Sequence, residues 1–186
     1  MSKKNKRDTI IIVVVVVAII GWIVAFRVNE RRQQQKKLEN ETYQMQQRDA
    51  LTHDIETVVK YQSEYMGDAS NDRNIFNNLP LNDVPTLFAL DSEKRIITVY
   101  YQGVDWNIGL EKVKRDLVYN STAAFALINN LDGITYEFCG NQYKYKRTQV
   151  EKVFGKDLRK LLEKKEWKKK VQDKLEDQSF VEQFYN

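Results

Sequence analysis

The side chains able to do chemistry in this chain are few in kind and scattered in position. One histidine, His53, and one cysteine, Cys139, stand among 26 aspartates and glutamates. A lone cysteine forms no internal disulfide, and no Cys-x-x-Cys pair occurs. One histidine without a cysteine cluster leaves almost no material for a zinc site. A hydrolytic triad would have to use His53 beside Asp54, with a serine or Cys139 as nucleophile, and no local motif supports that grouping. Phosphate-cradling, dinucleotide, nucleophile-elbow and zinc-protease strings are all missing from the sequence. A carboxylate pair acting on a glycan would draw on Glu64, Asp68, Asp72, Asp83 or Asp91, which qualify by residue type alone. The expectation is a protein without catalytic residues, cofactor or metal.

The elements that would position these groups begin at about residue 49. Leu51, Ile55, Val58, Val59 and Tyr65 recur at helical spacing, so 49–65 predicts an amphipathic helix that carries His53 and stops at Gly67-Asp68. Ser70 or Asn71, or Asp68 itself, caps a short helix over 72–79, and Pro80 ends it. Strands are predicted at 86–91 and 95–102, the second apolar on both faces as a central strand would be. Residues 103–118 are ambiguous between helix and edge strand. Asn120 or Ser121 reads as the cap of a helix over 121–131. ITYEFC and QYKYKR, joined by Gly140-Asn141, predict a hairpin over 134–147. Cys139 falls in the alternating pattern of that hairpin and reads as a small buried hydrophobe. Thr148 and Glu151 have the spacing of a capping box, so another helix starts there. Beyond Gly155 the pattern resumes helically to Lys174, and Phe180, Val181 and Phe184 are spaced so that the end of the chain packs onto something.

Before all of this stands Thr9 to Phe26, eighteen residues without a charge. At 1.5 Å per residue they span about 27 Å, close to the hydrocarbon thickness of a bilayer. The run is longer than the apolar part of a cleaved signal, and Trp22-Ile23-Val24-Ala25-Phe26-Arg27 offers no small-x-small site before the charge. An uncleaved transmembrane anchor at 9–26 is expected, with Trp22 and Phe26 at the headgroup layer. No G-x-x-x-G pair points to dimerisation through the span. The flanks nearly tie in charge: Lys3, Lys4, Lys6 and Arg7 before, Arg27, Arg31, Arg32, Lys36 and Lys37 after. The short, densely basic head favours the N-terminus in the cytoplasm and the rest of the chain outside.

Charge divides the remainder. Residues 38–143 hold 8 basic and 16 acidic side chains, whereas 144–176 hold 13 basic and 6 acidic. Such a basic tail suggests anionic partners, against which stands the plainer reading of a soluble Lys/Glu helix with i to i+4 pairing. Tyr143, Lys144, Tyr145, Lys146 and Arg147 interleave aromatic and basic residues like a single-strand nucleic acid platform. The same alternation describes an edge strand guarded by lysine, and no nucleic acid partner is expected.

Several strings resemble one known family. They are Tyr65-Met66-Gly67-Asp68-Ala69-Ser70, Asn74-Ile75, Asn78-Leu79-Pro80-Leu81, Thr98-Val99-Tyr100-Tyr101, the stretch from Asn120 to Leu131, and Val150 to Leu158. In order and over about 60–160 they are similar to domain of unknown function 4825, found in bacterial, mostly Gram-positive, envelope-associated proteins. The resemblance implies an extracytoplasmic α+β domain behind a membrane or lipid anchor, and transfers no catalytic residue. A plain anchor and a longer basic tail are the departures of this chain.

The architecture expected is α+β: a basic head (1–8), the transmembrane helix (9–26), a polar helical stalk (27–50), one domain of a mainly antiparallel sheet packed with helices (51–158), and a basic helical tail (159–186). The function expected is a membrane-tethered extracytoplasmic binding or sensing module, held in the bilayer through 9–26 and meeting an unknown envelope protein or polymer. Its binding loop would comprise Tyr65, Gly67, Asp68 and Ser70. Two alternatives are an envelope enzyme using carboxylates on a wall or lipid substrate, and a cytosol-facing scaffold whose basic tail docks on anionic lipid.

Overall fold

A computed structural model describes residues 3–185, with side chains from Ile11 onward apart from Val15. The basic head and the first two residues of the expected span lie outside those described side chains. The chain divides into two compact units, Met1–Gln44 and Met45–Asn186.

The first unit is helical. Helix α1 runs over Lys3–Gln46, and its segment from Ile11 is long and apolar enough to cross a membrane. Every described side chain from Ile11 to Phe26 is exposed. A helix apolar on all sides is the kind that is buried in a large core or in a membrane. Trp22 and Phe26 stack at 5.7 Å, and a Lys37–Glu41 pair one turn apart marks the polar continuation.

The second unit is α+β, as expected. Its four-stranded sheet has the order β1-β2-β3-β4, with β1 over Thr86–Asp91, β2 over Ile96–Tyr101, β3 over Gly133–Phe138 and β4 over Asn141–Lys146. Both hairpins are antiparallel, while β2 and β3 run parallel, Ile97 against Ile134. A parallel pair needs a crossover, here made by α4 (Asp105–Ile108) and α5 (Leu110–Leu127). Gly109 separates the two helices at φ +104°, a conformation that disfavours any residue with a Cβ. Ile97, Val99 and Tyr101 of β2 and Ile134, Tyr136 and Phe138 of β3 form the buried face of the sheet, packed with α5, of which every residue from Asp116 to Leu127 is buried.

Four local expectations change. The helix expected over 49–65 is only α2, Glu56–Val59. Ahead of it, Asp49 accepts the Leu51 N–H and Asp54 accepts the Glu56 N–H through their side chains, and such Asx turns compete with helix formation. The helix expected to begin at Asn120 or Ser121 begins at Leu110, because the cap-type residues serve the core. Asn120 donates to Pro80 O, Ser121 to Tyr136 Oη and Thr122 to Val118 O. Helix α6, Arg147–Phe154, starts ahead of Thr148: the Gln149 side chain accepts the Lys146 N–H at 2.8 Å. Cys139 is exposed, since β3 ends at Phe138 and the cysteine stands in the turn.

The basic C-terminal segment is part of the fold. It descends through a 3-10 turn at Leu158–Leu162, α7 (Lys164–Trp167), a π turn at Lys168–Gln172, a 3-10 turn at Asp173–Glu176, and α8 (Gln178–Glu182). Leu161, Trp167, Val171, Leu175, Val181 and Phe184 are buried while the lysines between them face water. Gln172 donates to the carbonyls of Ala50 and His53 at 2.8 and 2.9 Å, and Lys164 reaches Asp54 and Glu56.

His53 is a core group in this arrangement. Its Nε2 lies 2.7 Å from the Asn78 carbonyl and its Nδ1 2.7 Å from Tyr119 Oη. A carbonyl only accepts, so Nε2 carries the proton and Nδ1 accepts from the tyrosine. Burial, partly offset by the Asn78 carbonyl and the charge of Asp54, lowers its pKa to about 4. The neutral ring therefore contributes stability that is complete above the unfolded value near 6.5 and is lost as pH falls toward 4. Relative to His53→Gln, the native chain is expected to lose about 3 kcal/mol between pH 7 and pH 4 in denaturant titrations. Comparison with the variant isolates His53 from Asp116, whose burial raises it to about 6 and whose linkage runs the other way, adding stability as pH falls from about 6 toward 3.8.

Candidate functional site

The loop between Tyr61 and α3 (Ala69–Asn78) is held on every side by directed bonds. Its first residues extend alongside the end of α5: Ser63 N–H donates to Leu127 O at 2.9 Å, and Asn129 N–H to Ser63 O at 3.0 Å. The chain then turns outward. Tyr65 is 72 % exposed, and the Ser63 hydroxyl donates to its carbonyl. Met66 turns back into the core, its N–H donating to Asn130 Oδ1 at 2.7 Å.

Gly67 has φ +123°, so the reversal after Met66 uses a conformation that favours glycine. Its N–H donates to Asp72 Oδ2 at 3.0 Å. Asp68 caps α3, its carboxylate accepting the N–H groups of Ser70 and Asn71 at 3.1 Å each. Four of the loop residues expected from the sequence are thus brought together with defined tasks. Tyr65 presents a ring to solvent, Gly67 makes the bend, Asp68 caps, and Ser70 supplies a capped N–H in the first helical turn.

Asp72 is the residue whose role the sequence does not declare. It is 1 % exposed, and its Oδ1 is buried without a hydrogen-bond partner among the described residues. Burial raises its pKa, the Gly67 N–H opposes that, and the nearby Asp68 charge adds to the rise. The outcome is a carboxyl that keeps its proton to higher pH than an ordinary aspartate. Among the carboxylate candidates, Asp68 and Asp72 are the pair that interact.

The others are dispersed. Glu64 is held by Arg159 and accepts from Asn129, Asp83 lies 3.6 Å from Arg48, and Asp91 accepts from Lys94. His53 is enclosed, its ring satisfied by Tyr119 and Asn78, whereas Cys139 is exposed and no bond joins the two. Among the described residues no group of three metal-ligating side chains assembles. Arg159, which also donates to Ser63 O at 2.9 Å, and Asn130 are loop supports that sequence reasoning did not find. The only signal for Asn130 is the polar Asn129-Asn130 pair in an otherwise apolar stretch.

Residues 58–148 match the model of a family described as Domain of unknown function (DUF4825), the family that the sequence strings resemble. The match takes in the loop, the whole sheet and α5, and ends just inside α6, so the strings from Val150 to Leu158 lie beyond it. No curated protein and no protein of solved structure matches the chain.

Proposed function

We propose that this chain, built around a DUF4825 domain over residues 58–148, is a single-pass membrane protein that holds a binding or sensing module outside the cytoplasm. What supports the tether is one observation: every described side chain from Ile11 to Phe26 is apolar or small and exposed. Lipid satisfies such a helix. The orientation follows from the short basic head at Lys3, Lys4, Lys6 and Arg7, which stays in the cytoplasm by the positive-inside tendency.

A binding role is favoured over a catalytic one by what the acids do. Glu64, Asp83 and Asp91 each face a cation, and Asp68 serves as a helix cap. A loop held by so many directed bonds while presenting Tyr65 to solvent suits recognition, since loops on rigid scaffolds supply contact residues.

Cys139 provides the test. It is the one cysteine of the chain and stands exposed in the β3–β4 turn. On intact cells a membrane-impermeant maleimide is expected to label the native chain and to leave Cys139→Ser unlabelled. Labelling that appears only after lysis would place the domain in the cytoplasm and favour the scaffold reading instead.

A further inference from the structure

The two edges of the sheet are unlike. Strand β4 carries exposed Lys144 and Lys146, which discourage pairing with another strand. Strand β1 has no charge from Thr86 to Leu90, and Leu87 and Ala89 are exposed on its outer face.

The register shows which backbone groups of β1 are free. Gln102 N–H donates to Pro85 O at 2.8 Å, and the pairing continues with Thr86 opposite Tyr101. In an antiparallel ladder, bonded pairs alternate. Pro85 therefore turns its C=O, and Leu87, Ala89 and Asp91 their N–H and C=O groups, toward β2, whereas Thr86, Phe88 and Leu90 turn theirs away from it. Among the described residues nothing accepts from or donates to those outward groups. Beside the middle one, α3 places exposed Arg73 with its guanidinium 5.8 Å from the Phe88 ring centre. Arg73 has no ion pair among the described residues.

We propose that the β1 edge accepts an extended antiparallel strand from another polypeptide, apolar on the face it shares with Leu87 and Ala89 and bearing a carboxylate opposite Phe88 for Arg73. Main-chain bonds to Thr86, Phe88 and Leu90 supply affinity, and the alternate side chains supply selectivity. A second copy of the chain fits less well. The two-fold register that pairs Thr86, Phe88 and Leu90 together sets Phe88 opposite Phe88, and so brings the two Arg73 cations together. This partner class deepens the binding-module reading and rests on it. The two fail separately, because Cys139 labelling reports placement and strand capture reports the edge.

The test uses the full chain in detergent micelles and the fluorescein-labelled peptide Thr-Val-Glu-Val-Thr, capped at the C-terminus, read by anisotropy. The glutamate peptide is expected to bind about threefold or more tightly than its lysine counterpart, the size of an exposed ion pair. Arg73→Glu is expected to reverse that preference. N-methylation of the central glutamate, whose N–H faces the edge, is expected to abolish binding, while N-methylation of either valine spares it. Absence of saturable binding, or equal tolerance of the two N-methyl positions, would overturn the proposal. Self-association of the chain that excludes the peptide would overturn it too, by giving the edge to a second copy.

Discussion

Replacing Trp167 with alanine is expected to destabilise the Met45–Asn186 unit by about 3–5 kcal/mol, the cost of emptying a large aromatic site in a packed core. The indole is fully buried and meets the Tyr119 ring edge-to-face at 5.0 Å. Tyr119 in turn holds His53 through its hydroxyl, and Gln172, five residues past the tryptophan, holds the carbonyls of Ala50 and His53. The loss therefore extends beyond one cavity to the turns that lead into the domain. Domains of this size have about 5–15 kcal/mol of stability in total, so the variant sits near the unfolding threshold. Denaturant titration of the full chain measures the cost, and hydrogen exchange at residues 49–57 measures its spread. Trp167→Phe, which keeps a ring against Tyr119, is expected to lose clearly less. A cost under about 1 kcal/mol for the alanine variant, the range of a surface change, would mean that the C-terminal segment is not integral to the fold.

That segment also shows what the sequence conceals. Its lysines dominate the composition and suggest a basic helical tail, and the spacing of its apolar residues suggests one continuous helix, yet the buried residues do not follow a single helical period. The backbone passes from 3-10 to α to π and back, so a fixed 3.6-residue spacing cannot trace one buried stripe through it. The sheet was legible for the opposite reason. Ile97, Val99 and Tyr101 keep a strict two-residue period, and the second hairpin forms where it is expected, its turn at Cys139-Gly140 one residue ahead of the expected Gly140-Asn141. Helix α5 misleads at Asn120 and Ser121, because residue type suggests a cap and only the tertiary partners Pro80 and Tyr136 reveal a core role. In the candidate loop, Gly67 and Asp68 were readable because bending and capping are local tasks. Asp72 was not, because its burial depends on how α3 meets the chain around Met66 and Gly67, and nothing in its neighbours marks it among 26 acids.

Arg147→Met is the second change expected to act strongly, with a loss of roughly 3–5 kcal/mol in the same titration. By sequence Arg147 closes an aromatic-basic run and could face an anionic polymer. In the fold its guanidinium turns inward to the end of α5. Nη2 donates to Phe125 O at 2.8 Å and Ile128 O at 2.6 Å, and Nε donates to Leu131 O at 2.7 Å. The last carbonyls of a helix have no partner within it, and the helix dipole makes that end attractive to a cation. One planar fork thus satisfies three acceptors that the surrounding core keeps from water, while its face lies 5.4 Å from the Phe125 ring centre. Methionine matches much of the volume but leaves the Phe125 and Leu131 carbonyls bare and Ile128 O with only the long 3.4 Å bond from the Leu131 N–H. Each is a charge-assisted bond worth about 1.5–3 kcal/mol, and the three share one group, so their sum overstates the loss. Arg147→Lys is expected to recover only part, because a single ammonium cannot span the three directions that the guanidinium covers. Lys144→Ala and Lys146→Ala, on the exposed positions of the same run, are expected to stay within about 0.5 kcal/mol of the native chain. If instead all three substitutions proved equally mild, Arg147 would belong with its neighbours on the surface, and α5 would need another cap.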